Sequence, residues 1–546
     1  MIDAVTHFFS MHLAVLPVLL PLFTAIALLL LGDEGGQAGH TGGRLRMARA
    51  ISLGSAVIGA LLAWLLMSEA ASGVLTVYPL GNWPAPFGIV LVVDHLSAMM
   101  LALTWTIAVP VLWYATGGWD AHGRHFHPLF HFQLMGLSGA FVTGDLFNLF
   151  VFFEVLLIAS YVLLVHGQGR ERFRAGVHYV VLNLVASALF LIGLAVIYGT
   201  AGTLNMADLA LRVAQLGPDE AALFKVGGMI LLVVFGLKAA IVPLYMWLPG
   251  TYAVASAPVA ALFAIMTKVG VYSIIRVHAV ILGDAAGLAA RAAEPWLLPV
   301  ALATTVLGVL GALAAHSLAR LVAYLTVASV GTILAGVGLF TPATLSAALY
   351  YMVHSTLVVA ALFLLVELVA SQRGAVGDKL QPAPPVAQPV LLGLMTLLGS
   401  ASVAGLPPLP GFLGKLMVLQ SAAATPAHTV VWAVVLTGGF LTLIGLARAG
   451  AILFWKVLPT DGHPVASGSS WRLTSATLGL LGLSLVLAVA ASPMKRYTDA
   501  AAAELSDPTV YAKAVLGQID AFSSVSTRPY RGGEGEVKLP IKGDTP

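Results

Sequence analysis

The chain contains no cysteine. That absence excludes disulfides, thiolate catalysis, cysteine-ligated iron–sulfur clusters and cysteine-based zinc sites. Charge is scarce as well. Asp, Glu, Lys and Arg make up 9% of the 546 residues, against about 25% in an ordinary soluble domain. The net charge of +3 is too small to point to nucleic acid. No Walker A loop and no dinucleotide fingerprint are present, so neither ATP hydrolysis nor hydride transfer is supported. No basic residue precedes Arg44, so the first apolar run lacks the cationic start of a signal peptide. What is abundant is apolar sequence: hydrophobic residues are 59% of the chain and the mean hydropathy is +0.94. The chain reads as an all-α polytopic membrane protein.

Segments of about 20 apolar residues, the length that spans a bilayer, fall at 12–32, 50–71, 88–114, 128–145, 147–166, 176–199, 222–248, 257–282, 295–315, 320–340, 343–370, 387–424, 428–455 and 473–492. These predict fourteen spans. Proline removes a backbone donor and clashes with the preceding turn. Pro243 and Pro249 therefore break the seventh span, and Gly405, Pro407, Pro408, Pro410 and Gly411 break the twelfth. Spans 4–8 and 9–13 each hold five helices with the broken one fourth, the pattern of an inverted repeat. Arg44, Arg46, Arg49, Arg124, Arg170, Arg172, Arg174, Arg320, Arg373, Lys379, Lys456 and Arg472 follow odd-numbered spans, whereas Arg212 and Arg291 follow even-numbered ones. The positive-inside rule then puts the odd loops in the cytoplasm and both termini outside. The expected divisions are spans 1–3 in residues 1–127, a transport domain in 128–456, a last span in 457–492 and an extracytoplasmic tail in 493–546. Arg528 to Pro546 reads as disordered.

Four charges stand alone in this apolar sequence: Glu154, Lys238, Lys268 and Lys415. An ion at the bilayer centre costs at least about 2.5–3.5 kcal/mol and is a functional-site hypothesis by default. Glu154 lies seven residues past Phe147, about 11 Å into its helix, and Lys268 lies eleven past Ala257, about 16 Å in. Both depths are near the midplane of a core about 30 Å thick. Two unit charges 4 Å apart interact by about 4 kcal/mol at an effective dielectric of 20. Moving Glu154 relative to Lys238 would therefore load and unload a proton. The bland alternative, a permanent ion pair between Glu154 and one lysine, leaves two lysines unpaired.

His316, Tyr324, His354 and Glu367, in spans 9–11 or at their ends, are candidates for an extended proton relay. Asp94 and Asp145, near the outer ends of spans 3 and 5, are either part of an entry route or helix-terminal structural groups. Arg276 and Arg448 lie near span ends and are expected to snorkel. His122, His125, His127 and His131 lack metal-ligand spacing, QPAPPVAQP reads as a loop and GLLGLS as helix packing. No metal or cofactor site is expected.

Lys238 followed by PLYMWLPG, and the alanine-rich stretch running to TKVGVY, resemble the proton-conducting membrane domain shared by complex I antiporter-like subunits and Mrp-type multisubunit cation/proton antiporters. The resemblance covers spans 4 to 13. GDLFNLFVFFEVLLIASYVLL and the later DPTVYAKAVLG are most similar to the D-type antiporter subunits. The resemblance implies that Glu154, Lys238, Lys268 and Lys415 form a proton route. It also implies a hetero-oligomeric complex with A- and C-type subunits as neighbours, in a bacterial inner membrane, moving protons to drive export of Na⁺, Li⁺ or K⁺. The chain departs from the wider family at Gly250 and Tyr252, where an acid and a His are common, at Arg320 in place of Lys, and at Val358, where a Lys often follows the span-11 His. The alternative from a different class is a proton-pumping subunit of a complex I-like redox enzyme, whose partners would carry the redox chemistry. A third reading is a scaffold subunit.

Overall fold

The computed structural model describes residues 12–32, 43–83, 85–458 and 467–517. The helices in chain order are α1 (Leu16–Leu31), α2 (Gly43–Ala71), α3 (His95–Ala115), α4 (Phe126–Val142), α5 (Leu146–Val165), α6 (Arg170–Ala201), α7 (Met206–Arg212), α8 (Pro218–Ala239), α9 (Trp247–Tyr252), α10 (Ala257–Ile275), α11 (Glu294–Leu313), α12 (Leu318–Val337), α13 (Pro342–Ser371), α14 (Pro389–Ala404), α15 (Pro410–Ala422), α16 (His428–Phe454), α17 (Trp471–Val489), α18 (Ala491–Ser506) and α19 (Pro508–Leu516). Each of the fourteen apolar stretches coincides with helix. Eleven helical segments among the described residues are long and apolar enough to cross a membrane. The other three stretches hold shorter helices: α1, α4, and the broken pair α14 and α15.

Burial is graded as a bilayer demands. Every residue of α10 is buried, and α13, which packs against it, is buried along nearly its whole length. Helices α2, α6 and α16 instead turn large apolar side chains outward, such as Leu61, Val177 and Phe440. Both expected breaks are present. The chain leaves helical geometry between α8 and α9 and between α14 and α15, each time through a residue in the left-handed region, Ala240 (φ 61) or Gly405 (φ 87). Unwound backbone is tolerated at this depth only when protein surrounds it. The Thr304 hydroxyl accepts from the Val242 amide at 3.0 Å, and Trp247 Nε1 donates to the Leu237 carbonyl at 2.9 Å.

Three sequence expectations are corrected. The stretch 88–114 does not begin as helix: Val90–Val93 is a strand paired antiparallel with Thr76–Pro79. Three of its four residues are β-branched valines, which suit a pleated strand better than a helix, and hydropathy alone does not separate the two. The stretch after 493 is not simply a polar tail. It forms α18 and α19, which fold back onto the body. The expectation for Arg528 to Pro546 lies outside the described residues. Arg276 does not snorkel. It is 3% exposed and forms a two-pronged ion pair with Asp94, itself 1% exposed.

That ion pair organises the end of the bundle at which α3 begins. Asp94 also caps α3 by accepting from the Ser97 amide at 2.8 Å. Arg276 donates further to the Ser97 hydroxyl at 2.8 Å and to the Tyr272 hydroxyl at 2.9 Å. The rings of Tyr272 and Tyr511 lie 5.1 and 5.5 Å from its guanidinium. Tyr511 belongs to α19, and Glu504 of α18 bonds His95 beside Asp94, so the terminal helices cover the pair. At the opposite end Asp120 accepts two bonds from Arg49, at 2.6 and 2.7 Å, and pairs with His127 at 3.1 Å. Burial pushes the Asp120 carboxyl up, but His127 and Arg49 together hold it below the usual range.

Breaking a buried pair by removing one partner costs about 3–5 kcal/mol, because the other charge is left uncompensated. Arg276→Met is therefore expected to lower the thermal unfolding midpoint of the purified protein sharply. Adding Asp94→Ala should recover part of the loss. An unchanged midpoint in Arg276→Met would refute the structural role.

Candidate functional site

The four isolated charges lie on α5, α8, α10 and α15. Glu154, on α5, is half-buried and accepts a hydrogen bond from Ser187 of α6. Lys238, 7% exposed near the end of α8, donates to the side-chain oxygen of Asn183, one turn before Ser187 on α6. Asn183 is oriented by donating to the Tyr179 carbonyl at 2.7 Å, and the Ser187 hydroxyl also lies 3.0 Å from the Asn183 carbonyl. The carboxylate and the ammonium therefore make no direct ion pair. They are joined through a hydroxyl and an amide on a third helix. The aromatic ring of Phe153 lies 5.8 Å from Lys238 Nζ and adds a face with negative electrostatic character.

Asn183 and Ser187 were not singled out from the sequence. The signal was there: two hydrogen-bonding residues four apart in HYVVLNLVASALF share a helix face in an apolar span. The eye is drawn to full charges, which cost more in lipid, and passes over neutral groups.

Lys268 has a different environment. It is 0% exposed on α10, and its Nζ has no hydrogen-bond partner among the described residues. It reaches the neighbourhood of Lys238 because α8 and α10 touch at Gly270. A Cβ at Gly270 would lie 2.5 Å from the Ala239 amide nitrogen and 2.7 Å from the Phe235 carbonyl oxygen. An ammonium buried without a partner is costly, so Lys268 has the least support for a charge of the three lysines.

Lys415, on α15, turns back to the end of α14 and donates to the Val403 and Ala404 carbonyls at 3.0 and 2.9 Å. These are among the carbonyls that a helix leaves unpaired at its C-terminus. The partial negative charge of the helix end favours a cation there. The break in the helix thus creates a cation-stabilising site without an acidic residue. A cavity of about 20 Å³, room for about one water, adjoins Lys415 and is lined in part by the hydroxyl residues Thr305, Ser329, Thr332, Thr442 and Tyr351.

The structure sorts the secondary candidates. His354 is brought to the Lys415 site: it is buried beside Tyr351, and its Nε2 lies at the Gly411–Ser402 contact between α15 and α14. Tyr324 packs its ring on Gly311 and is not among the residues around Lys415. His316 is exposed in the loop between α11 and α12. Glu367 accepts from Trp119 and Tyr114 and lines a cavity of about 220 Å³ with Arg172, Ser256 and Asp378. It lies thirteen residues from His354, about 20 Å along α13, and the side chains from Leu357 to Val366 between them are all apolar. Asp94 is the ion-pair partner of Arg276, and Asp145 caps α5 through the Asn148 amide at 2.8 Å. Val358 is buried at 1% exposure, and no side-chain hydrogen bond joins Lys268 to His354 among the described residues.

The approach of α14 and α15 depends on Gly411. A Cβ there would fall 1.8 Å from the Ser402 carbonyl oxygen and 2.7 Å from His354 Nε2. Overpacking of this kind typically costs about 1–3 kcal/mol. Gly411→Ala is expected to lower the thermal unfolding midpoint of the purified protein while leaving the membrane level measurable by immunoblot. An unchanged midpoint would show that the spacing of the two half-helices is not required.

The family described as NADH:quinone oxidoreductase/Mrp antiporter, TM, matches residues 143–442, which include all four charges. A probable K(+)/H(+) antiporter subunit of the D type, from Rhizobium meliloti (strain 1021), is 40% identical over 542 residues, covering 92% of this chain and 97% of the relative. A D-type Na(+)/H(+) antiporter subunit of Alkalihalophilus pseudofirmus is 36% identical, covering 92% and 99%. Among solved structures, a chain of the Mrp complex from Dietzia sp. DQ12-45-1b superposes with a TM-score of 0.83 at 28% identity, over 93% of this chain and 99% of that one. A chain of the membrane-bound sulfane sulfur reductase, an archaeal respiratory membrane complex, gives 0.82 at 25% identity, over 92% and 99%. The chain belongs to the NADH:quinone oxidoreductase/Mrp antiporter membrane family, within its branch of D-type antiporter subunits.

Proposed function

We propose that this chain is the proton-translocating membrane subunit of a multisubunit monovalent cation/proton antiporter, a secondary transporter component rather than an enzyme. The observation that carries the reading is the series of three lysines, two buried and one half-buried, in unlike surroundings. Lys238 is bridged to a carboxylate, Lys268 is bare, and Lys415 is held by a helix end. A proton handed along such a series changes its electrostatic cost at every step, so a shift of neighbouring charge directs it. Asn183 and Ser187 make the first connection, and His354 serves the last.

The arginine-rich loops after odd-numbered spans are cytoplasmic in this reading, both termini are extracytoplasmic, and the membrane is the bacterial inner membrane. Residues 128–456 are the transport domain, flanked by spans 1–3 and the last span. A- and C-type subunits are the neighbours, and inward proton movement drives export of Na⁺, Li⁺ or K⁺. The likeness to respiratory complexes favours a second reading, a pumping subunit that redox partners drive. The chain itself has no cysteine for such chemistry.

The test is cation-stimulated proton flux in everted vesicles under an artificially imposed pH gradient, with no electron donor. Flux that responds to Na⁺, Li⁺ or K⁺ is expected; flux that appears only with an electron donor favours the redox reading. Glu154→Ala, Lys238→Ala and Lys415→Ala should each lose antiport while the complex still assembles, and wild-type flux in the first two would sink the central pair. Asn183→Leu removes a hydrogen bond to a charged group, worth about 1.5–3 kcal/mol, and should slow flux by about tenfold or more.

A further inference from the structure

A second site, distinct from the lysine series, opens on the flank of the bundle where α6 enters the membrane. Its cavity measures about 570 Å³ and is lined by Glu171, Arg174 and His178 of α6, by Met246, Trp247 and Thr251 around α9, and by Arg320 of α12 among others. Arg174 and Arg320 are exposed and form no ion pair among the described residues. Glu171, His178 and the two arginines converge on the cavity from two helices. On the adjoining face of α6, Phe173, Val177, Val181 and Leu184 are 53%, 65%, 54% and 57% exposed. They form one apolar stripe running away from the arginines toward the bundle midplane.

The dimensions match one molecule class. From Phe173 to Leu184 the stripe rises about 16 Å, close to half of a hydrocarbon core about 30 Å thick. A polar cavity with two unpaired guanidinium groups at the head of a one-leaflet apolar track has the shape and charge of a phospholipid binding site. Arginine forks pair with phosphate oxygens through two parallel bonds, and basic pockets between membrane helices take anionic headgroups.

We infer that the Arg174–Arg320 cavity binds the headgroup phosphate of an anionic phospholipid whose acyl chain lies along Phe173, Val177, Val181 and Leu184. His178 and Thr251 are in place to hydrogen-bond the remaining headgroup oxygens, and Glu171 to accept from a glycerol hydroxyl. The floor of the site is Trp247, which stacks on Tyr179 at 5.1 Å and holds the Leu237 carbonyl next to Lys238. The lipid would therefore buttress the first helix break from outside.

The test uses the full chain in its membrane complex, reconstituted in nanodiscs containing phosphatidylglycerol and phosphatidylcholine, with retained lipid read by native mass spectrometry. Wild type should retain phosphatidylglycerol selectively, and Arg174→Ala with Arg320→Ala should weaken retention by about tenfold or more. Arg124→Ala, which removes one positive charge from an exposed position outside the cavity, should leave retention unchanged. Equal retention in the double variant, or an equal loss in Arg124→Ala, overturns the site. Millimolar inorganic phosphate should not displace the lipid; displacement would make this a free-phosphate site. A photo-crosslinker at Met246 should capture lipid, and capture of a neighbouring protein instead overturns the proposal.

Discussion

An ammonium group has no water to return to at the centre of a bilayer, and most of this structure can be understood as an answer to that constraint. Lys238 is answered by Asn183 and, through Ser187, by Glu154. Lys415 is answered by two backbone carbonyls that exist only because the helix stops at Ala404. Lys268 receives no hydrogen bond among the described residues. Three lysines of identical chemistry are made unequal by their surroundings, and that inequality is what would give the proposed proton route its direction.

The broken helices serve this electrostatic arrangement. A continuous helix presents no free carbonyls in mid-membrane, whereas a broken one offers a terminus with partial charge. The breaks are closed by specific partners: Thr304 and Trp247 at the first, Lys415 itself at the second. Small residues set the distances. Gly270 lets α8 meet α10 beside Lys238 and Lys268, and Gly411 lets α15 meet α14 and His354. The buried Asp94–Arg276 pair, covered by α18 and α19, anchors the C-terminal end of α10.

The sequence made the strongest elements legible because their signals are local. Runs of apolar residues mark spans, proline and glycine mark breaks, and a lone charge in an apolar run is conspicuous. Its failures have local causes too. The valine run at 90–93 is as hydrophobic as a helix but prefers a pleat. Arg276 sits near a span end in sequence, but its partner Asp94 lies 182 positions away along the chain. Asn183 and Ser187 were overlooked because neutral polar residues in membrane helices are common and most bond only their own backbone.

By itself the sequence determined that the chain is a polytopic helical membrane protein, where its two interrupted helices lie, and which four charges stand alone in apolar segments. Composition, periodicity and spacing act along the chain and need no knowledge of neighbours. Only the tertiary structure decided what each charge meets: an amide and a hydroxyl from α6, a buried position with no hydrogen-bond partner among the described residues, or the open end of a half-helix. It also separated His354, at the Lys415 site, from His316 and Glu367, which lie away from it. The reason is physical. The cost of a buried charge depends on dipoles within a few ångströms, and in this fold those dipoles come from residues distant in sequence.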